Sequence, residues 1–131
     1  RALAETIMRA VGVVHWLDDE SLMDAVTALS GSGPAYVFRL IECLALGGER
    51  LGLDPALARR LALETAAGAA ELALGSAQDP GTLRAQVTSK GGTTEQALRV
   101  LDEGGIEALF GRALTAARDR SRTLSEEFGK A

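Results

Sequence analysis

The stretch Pro34-Ala35-Tyr36-Val37-Phe38-Arg39-Leu40-Ile41-Glu42-Cys43-Leu44-Ala45-Leu46-Gly47-Gly48-Glu49-Arg50-Leu51 decides the reading of this chain. It opens on a proline, which suits the first position of a helix because its missing N–H has no partner there anyway. It then runs apolar on most sides, with a narrow polar line at Arg39, Glu42, Glu49 and Arg50. A helix apolar on nearly every face is buried on nearly every face. In a chain of 131 residues, that burial must come from another chain or from helices that wrap around it.

Toward the C-terminus the helix signals repeat. Gly52 fits a helix stop, and Asp54-Pro55 is an N-cap followed by proline at the first helical position. The next helix is expected from Pro55 to about Leu74. Arg60, Glu64 and Glu71 share one side of it, with small Ala, Leu and Gly on the other. Gly75 ends that helix. Asp79-Pro80 repeats the capping device and opens a short helix over Thr82 to Val87. A polar loop follows from Thr88 to Gly92, then a helix begins at Thr93 or Thr94 and reaches Leu101. Gly104-Gly105 breaks it. A last helix runs from Ile106 to about Phe128, its late part (Arg118, Asp119, Arg120, Arg122, Glu126, Glu127) solvated.

Toward the N-terminus, Asp19 or Ser21 is positioned to cap a helix over Leu22 to Leu29, which Ser30-Gly31-Ser32-Gly33 is expected to interrupt. Residues Ala2 to Ala10 read as an amphipathic helix, and Val11 to Leu17 as a strand. A lone strand lacks a partner for its backbone groups, so this part reads as the tail of an α/β domain. The first residue is Arg1 rather than Met, and the chain is expected to begin inside a longer protein. The fold class is therefore all-α, a bundle of six or seven helices behind a helix–strand remnant. Residues 1–20 are expected to form the remnant and residues 21–131 the helical domain.

Composition agrees. Apolar residues make up 47% and aromatics 4%, a balance of Ala and Leu that favours helix over sheet. The net charge of -4, with no basic stripe, argues against nucleic acid as a partner. No segment is apolar enough for long enough to cross a membrane. The one cysteine, Cys43, excludes an internal disulfide and points to a reducing, cytoplasmic setting. Within its apolar run it reads as a small core residue.

Few residues suit chemistry. His15 is the only histidine, so no multi-histidine metal site can form in one chain, and no Ser-His-Asp set is available without it. Asp18, Asp19, Glu20 and Asp24 read as solvated caps and turns. Gly31-Ser32-Gly33 starts like a dinucleotide fingerprint, but Tyr36 replaces the third glycine and no strand precedes it. Two glycine turns remain, each leading into a helix: Ser30-Gly31-Ser32-Gly33-Pro34-Ala35, and Thr88-Ser89-Lys90-Gly91-Gly92-Thr93-Thr94. Free N–H groups and a partial positive charge at a helix start attract anions. The threonine hydroxyls of the second turn add donors and acceptors. On spacing alone, both turns also fit ordinary helix connections.

Longer motifs add a resemblance. Asp24-Ala25-Val26-Thr27-Ala28-Leu29-Ser30-Gly31-Ser32-Gly33-Pro34-Ala35-Tyr36 resembles the start of the C-terminal domain of pyrroline-5-carboxylate reductases. Val87-Thr88-Ser89-Lys90-Gly91-Gly92-Thr93-Thr94-Glu95-Gln96-Ala97-Leu98, with Leu101-Asp102-Glu103-Gly104-Gly105, is similar to that family's signature. Asp79-Pro80-Gly81-Thr82-Leu83-Arg84 and Ala113-Leu114-Thr115-Ala116-Ala117 also fit, so the likeness covers essentially the whole chain. One departure is Lys90, where many members carry proline, a difference that bears on the stiffness of the loop.

The resemblance implies an enzyme that reduces 1-pyrroline-5-carboxylate to L-proline with NADPH or NADH. It implies an upstream Rossmann domain holding the main cofactor site, which lies outside this sequence. It further implies a helical domain that intertwines into a homodimer, with higher assemblies of dimers open. Carried over by position, Gly92, Thr93 and Thr94 would bind the substrate carboxylate, and the Thr94 hydroxyl would approach the ring nitrogen. Val87 and Ser89 would line the pocket, and Ser32, Gly33, Pro34 and Ala35 would lie beside the nicotinamide. The alternatives are a helical oligomerisation module and the helical domain of another Rossmann-linked dehydrogenase. Against the latter stands the lack of a lysine in a helix core, since Lys90 and Lys130 are the only lysines.

Overall fold

The computed structural model describes residues 2–128, so Arg1 and Lys130 fall outside it. The described residues are mostly helical, with no strand among them. The elements are α1 (Ala2–Arg9), a 3-10 turn (Glu20–Leu22), α2 (Met23–Val26), a π turn (Thr27–Gly31), α3 (Gly33–Arg50), α4 (Pro55–Gly75), α5 (Pro80–Gln86), α6 (Thr93–Glu103) and α7 (Ile106–Phe128).

The run Val11–Leu17, expected as a strand, forms no ladder. Its β-rich composition has no second strand to pair with, and a strand without a partner leaves its backbone bonds unmade. The segment folds back on α1 instead: the Trp16 indole N–H donates to Glu5 Oε2 at 3.2 Å, while Glu5 Oε1 pairs with Arg9 at 2.6 Å.

The Ser30–Gly33 stretch was expected to break the chain between two helices. It does not. Met23 to Arg50 runs almost without interruption, because a π turn takes the place of the break. A proline inside a helix clashes with the carbonyl four residues back, here that of Ser30. The wider π turn just ahead of Pro34 relieves that clash. The Ser32 N–H reaches back five residues to the Thr27 carbonyl at 2.9 Å, and the Tyr36 hydroxyl donates to the Ala28 carbonyl at 3.0 Å.

Helices α3 and α4 form the main hairpin. The turn uses Gly52 at φ 98°, a left-handed conformation that favours glycine. Asp54 caps α4 by accepting from the Ala56 and Leu57 N–H groups at 3.0 and 3.1 Å. The two helices approach closely because their contact is made of small residues. A Cβ on Gly48 would stand 3.3 Å from the Ala58 Cβ and 3.2 Å from Leu53 Cδ1. Helix α7 packs on the π turn and on α2, where the Ser121 hydroxyl donates to Asp24 Oδ1 at 2.7 Å. Asp24 is therefore tied to a distant helix and is no mere solvated turn residue. Asp19 behaves as expected of a cap, accepting from the Ser21 N–H at 2.9 Å. Asp79 caps α5 through the Thr82 N–H and hydroxyl, and these two bonds hold its carboxyl below the usual carboxylate range.

The hairpin and α7 do not enclose a core. Among the described residues the buried apolar side chains are Ala28, Ala45, Ala58 and Ala62. The accessible surface is 10593 Å², against roughly 6600 Å² for a compact monomer of this mass. Phe38, Leu40, Leu44, Leu46 and Leu57 stay at least two-fifths exposed. Cys43, expected in the core, is exposed. Its side of α3 is turned away from the Ala45–Gly48 contact with α4, and nothing in the chain covers it. The apolar character of α3 read from the sequence is real, but a single chain does not bury it.

Candidate functional site

The second glycine turn is built from the end of α5 to the start of α6. The Thr88 hydroxyl donates to the Arg84 carbonyl at 2.6 Å and ends α5. The chain then turns back at Ser89, whose carbonyl accepts from the Gly92 N–H at 3.0 Å. Gly91 sits at φ 73°, in the left-handed region that strains other residues. Gly92 has an ordinary conformation but no room, since a Cβ there would lie 2.6 Å from Ser89 Oγ and 3.0 Å from the Ser89 carbonyl oxygen. Each glycine is needed for a different reason.

Gly92 is the N-cap of α6, and it has no side chain to satisfy the first turn. The N–H groups of Thr93, Thr94 and Glu95 consequently have no partner among the described residues, while the next one, Gln96, bonds to the Gly92 carbonyl at 3.4 Å. Thr93 is exposed and Thr94 half-buried, and the Thr94 hydroxyl makes no hydrogen bond to a described residue. The amides are open rather than blocked. An anion placed there gains both the N–H donors and the positive end of the helix, about 0.3–1 kcal/mol from the dipole at an exposed site.

One residue of this turn escaped the reading of the sequence. Glu95 Oε2 accepts from the Gly91 N–H at 2.7 Å. Its signal was present: Glu at the third helical position is half of a capping box and reaches back to the N-cap region. Here it reaches one residue further, because the cap is glycine and the turn is tight.

The first glycine turn is a different object. Its Ser32 N–H is spent on Thr27 in the π turn, Pro34 has no N–H, and the Ala35 N–H bonds to the Ser32 carbonyl at 3.1 Å, so it presents fewer donors to an anion than the start of α6. Ser32 and Gly33 are half-buried, Pro34 and Ala35 exposed. Ala35, with Tyr36 and Leu40, faces Val100, Leu101 and Phe110 across a largely apolar groove of about 440 Å³. Thr93 and Thr94 do not line that groove. The structure thus gathers Val87, Ser89, Gly92, Thr93 and Thr94 in one loop but does not bring Ser32–Ala35 against them. No group of three or more metal-ligating side chains occurs among the described residues. No described helix is long and apolar enough to cross a membrane.

Replacing Gly92 with alanine is expected to force Ser89 off its seat and turn the free amides. Amide NMR should show shifts spreading from Ser89 to Thr94 with the rest of α6 unmoved. A spectrum altered only at position 92 would mean that the turn tolerates the Cβ.

Leucines left uncovered along α3 and an open loop at a helix start define a helical oligomerisation domain that also presents a ligand-sized turn. Comparison with known proteins gives the family. A family model described as pyrroline-5-carboxylate reductase dimerisation matches residues 20–124, and the chain belongs to that family.

The chain is 50% identical over 127 residues to a pyrroline-5-carboxylate reductase of Pseudomonas aeruginosa, covering 97% of this chain and 46% of that protein. It is 41% identical over 131 residues to pyrroline-5-carboxylate reductase 2 of Bacillus subtilis, covering 100% of this chain and 45% of that protein. Among solved structures, a pyrroline-5-carboxylate reductase from Coxiella burnetii superposes with a TM-score of 0.90 at 50% identity, over 94% of this chain and 46% of that one. The Plasmodium falciparum enzyme with NADP bound superposes with a TM-score of 0.85 at 33% identity, over 93% and 46%. The chain spans about half the length of the relatives it matches.

Proposed function

We propose that this chain is the helical, C-terminal part of an enzyme that reduces 1-pyrroline-5-carboxylate to L-proline in the cytoplasm. It forms a homodimer and supplies the loop that holds the substrate. The observation that carries this reading is the turn at Gly91–Gly92, which leaves the Thr93, Thr94 and Glu95 amides without partners among the described residues at the start of α6.

The chemistry follows from that turn. The substrate is a cyclic imine with a carboxylate beside the ring. The amides of Thr93 and Thr94 hold the carboxylate, and the half-buried Thr94 hydroxyl stands within reach of the ring nitrogen. Val87 and Ser89 border the same loop. Reduction adds a hydride to the imine carbon and leaves the nitrogen with a proton, so the protein's task is to orient the ring and keep the nitrogen hydrogen-bonded. Thr94 can do the latter without acting as a strong acid.

Reduced nicotinamide, as NADPH or NADH, supplies the hydride when bound. The described residues contain no strand–turn–helix cradle for its phosphates, so its main site belongs to a Rossmann domain outside this sequence. The helix α1 and the run to residue 20 are assigned to the end of that domain. Small residues at the start of α3, Ser32, Gly33, Pro34 and Ala35, offer a flat surface beside which a ring can lie.

Dimerisation is supported by the missing core. A core of four alanines among the described residues cannot offset the conformational entropy of ordering the helices. A second copy laid along α3 and α4 would cover the exposed leucines.

The test is titration of L-proline into the full-length protein, with the backbone amides observed by NMR. The Thr93, Thr94 and Glu95 amides should shift together and saturably. If they stay fixed while the protein is dimeric, the chain is an oligomerisation module and the catalytic assignment fails.

A further inference from the structure

We propose that Glu95 is the positioning residue of the anion-holding loop, fixing the Gly91 turn and at the same time limiting how tightly a carboxylate is held. The proposal rests on the reading of the loop as the substrate-carboxylate site. Glu95 stands at the third position of α6, half-buried, and its Oε2 accepts from the Gly91 N–H at 2.7 Å. That bond spans the turn from outside, where Gly91 is left-handed at φ 73°. The Gly92 N–H to Ser89 carbonyl bond at 3.0 Å closes the turn as well. Together these ties fix the peptide planes from Gly91 onward, and so fix where the Thr93 and Thr94 N–H groups point.

The same carboxylate has a second effect. It belongs to the residue whose own N–H is one of the open amides, so its negative charge lies beside any anion gathered there. Like charges brought close together oppose each other. The Gly91 N–H absorbs part of the charge by donating to it, which allows an acid to serve in an anion site at all. The two effects have opposite signs and are separable by substitution. A glutamine at this position keeps an oxygen for Gly91 and removes the charge. An alanine removes both.

Three proteins decide it: the full-length enzyme, its Glu95→Gln variant and its Glu95→Ala variant. Each is assayed for kcat and KM with 1-pyrroline-5-carboxylate and for the dissociation constant of L-proline by calorimetry. In Glu95→Ala the KM and the L-proline dissociation constant should rise on the order of tenfold, the size expected for loss of one charge-assisted hydrogen bond. In Glu95→Gln both should fall below the parent's, and values equal to the parent's overturn the effect of the charge. A Glu95→Ala protein that binds like the parent overturns the proposal. So does a Glu95→Gln protein as weak as Glu95→Ala, since the retained acceptor would then not be what orders the turn. Failure of the underlying reading looks different: L-proline would leave the Thr93 and Thr94 amides of the unsubstituted protein unshifted.

Discussion

Changing Leu44 to arginine is expected to split the proposed homodimer into monomers. Leu44 lies on the stripe Val37, Leu40, Leu44 of α3, where each side chain is 45–49% exposed in the single chain. That stripe flanks the α4 contact at Ala45 and Gly48, with Gly48 one turn beyond Leu44. Within one chain the substitution is harmless, because the arginine head reaches water. In the dimer it is not. Each subunit loses the burial of a leucine, about 1.5–3 kcal/mol, and must desolvate a guanidinium, which costs several kcal/mol when unpaired. A two-fold interface presents the position twice. Even about 3 kcal/mol per subunit weakens the dimer by roughly 10⁴-fold. Light scattering at micromolar protein should then report the monomer mass with much of the helix signal lost. A variant that remains dimeric removes α3 from the interface.

Thr94→Val in the full-length enzyme is the second large effect. Threonine and valine are both β-branched and lose similar freedom in a helix, and Thr94 makes no side-chain bond to a described residue. Folding should therefore be nearly unchanged. Catalysis should not be. Loss of a hydrogen bond to a charged group costs about 1.5–3 kcal/mol, or roughly ten- to hundredfold in kcat/KM. The fall should appear in kcat when the hydroxyl serves the ring nitrogen in the transition state. It should appear in KM alone when it only helps hold the bound substrate. Unchanged kcat and KM would remove Thr94 from the site.

Much of the helical layout was legible because its signals are local. Asp54-Pro55 and Asp79-Pro80 mark helix starts, and Gly52 and Gly104-Gly105 mark stops, by the conformations those residues allow. The turn at 88–92 and the start of α6 at Thr93 were readable in the same way. Where the reading went astray, a partner outside the local sequence decided. Val11–Leu17 has strand composition and no strand, since pairing needs a neighbour. Ser30–Gly33 has loop composition and forms a π turn, because Thr27 and Tyr36 supply bonds that the glycines alone do not announce. Cys43 sits in an apolar run and is exposed, because burial belongs to whatever covers a helix, not to the helix.

By itself the sequence determined where helices begin and end, that α3 is apolar on most sides, and that a glycine turn at 91–92 opens onto a threonine pair. Dihedral preferences and capping chemistry act within a few residues, so they are written in the order of the letters. Only the tertiary structure decided that the apolar surface stays uncovered in one chain, that the first glycine turn presents fewer donors than the second, and that Glu95 ties the second. Each of these depends on which donor meets which acceptor in space, and on how many atoms surround a side chain. Such distances are properties of the folded chain, set by packing between residues far apart in sequence.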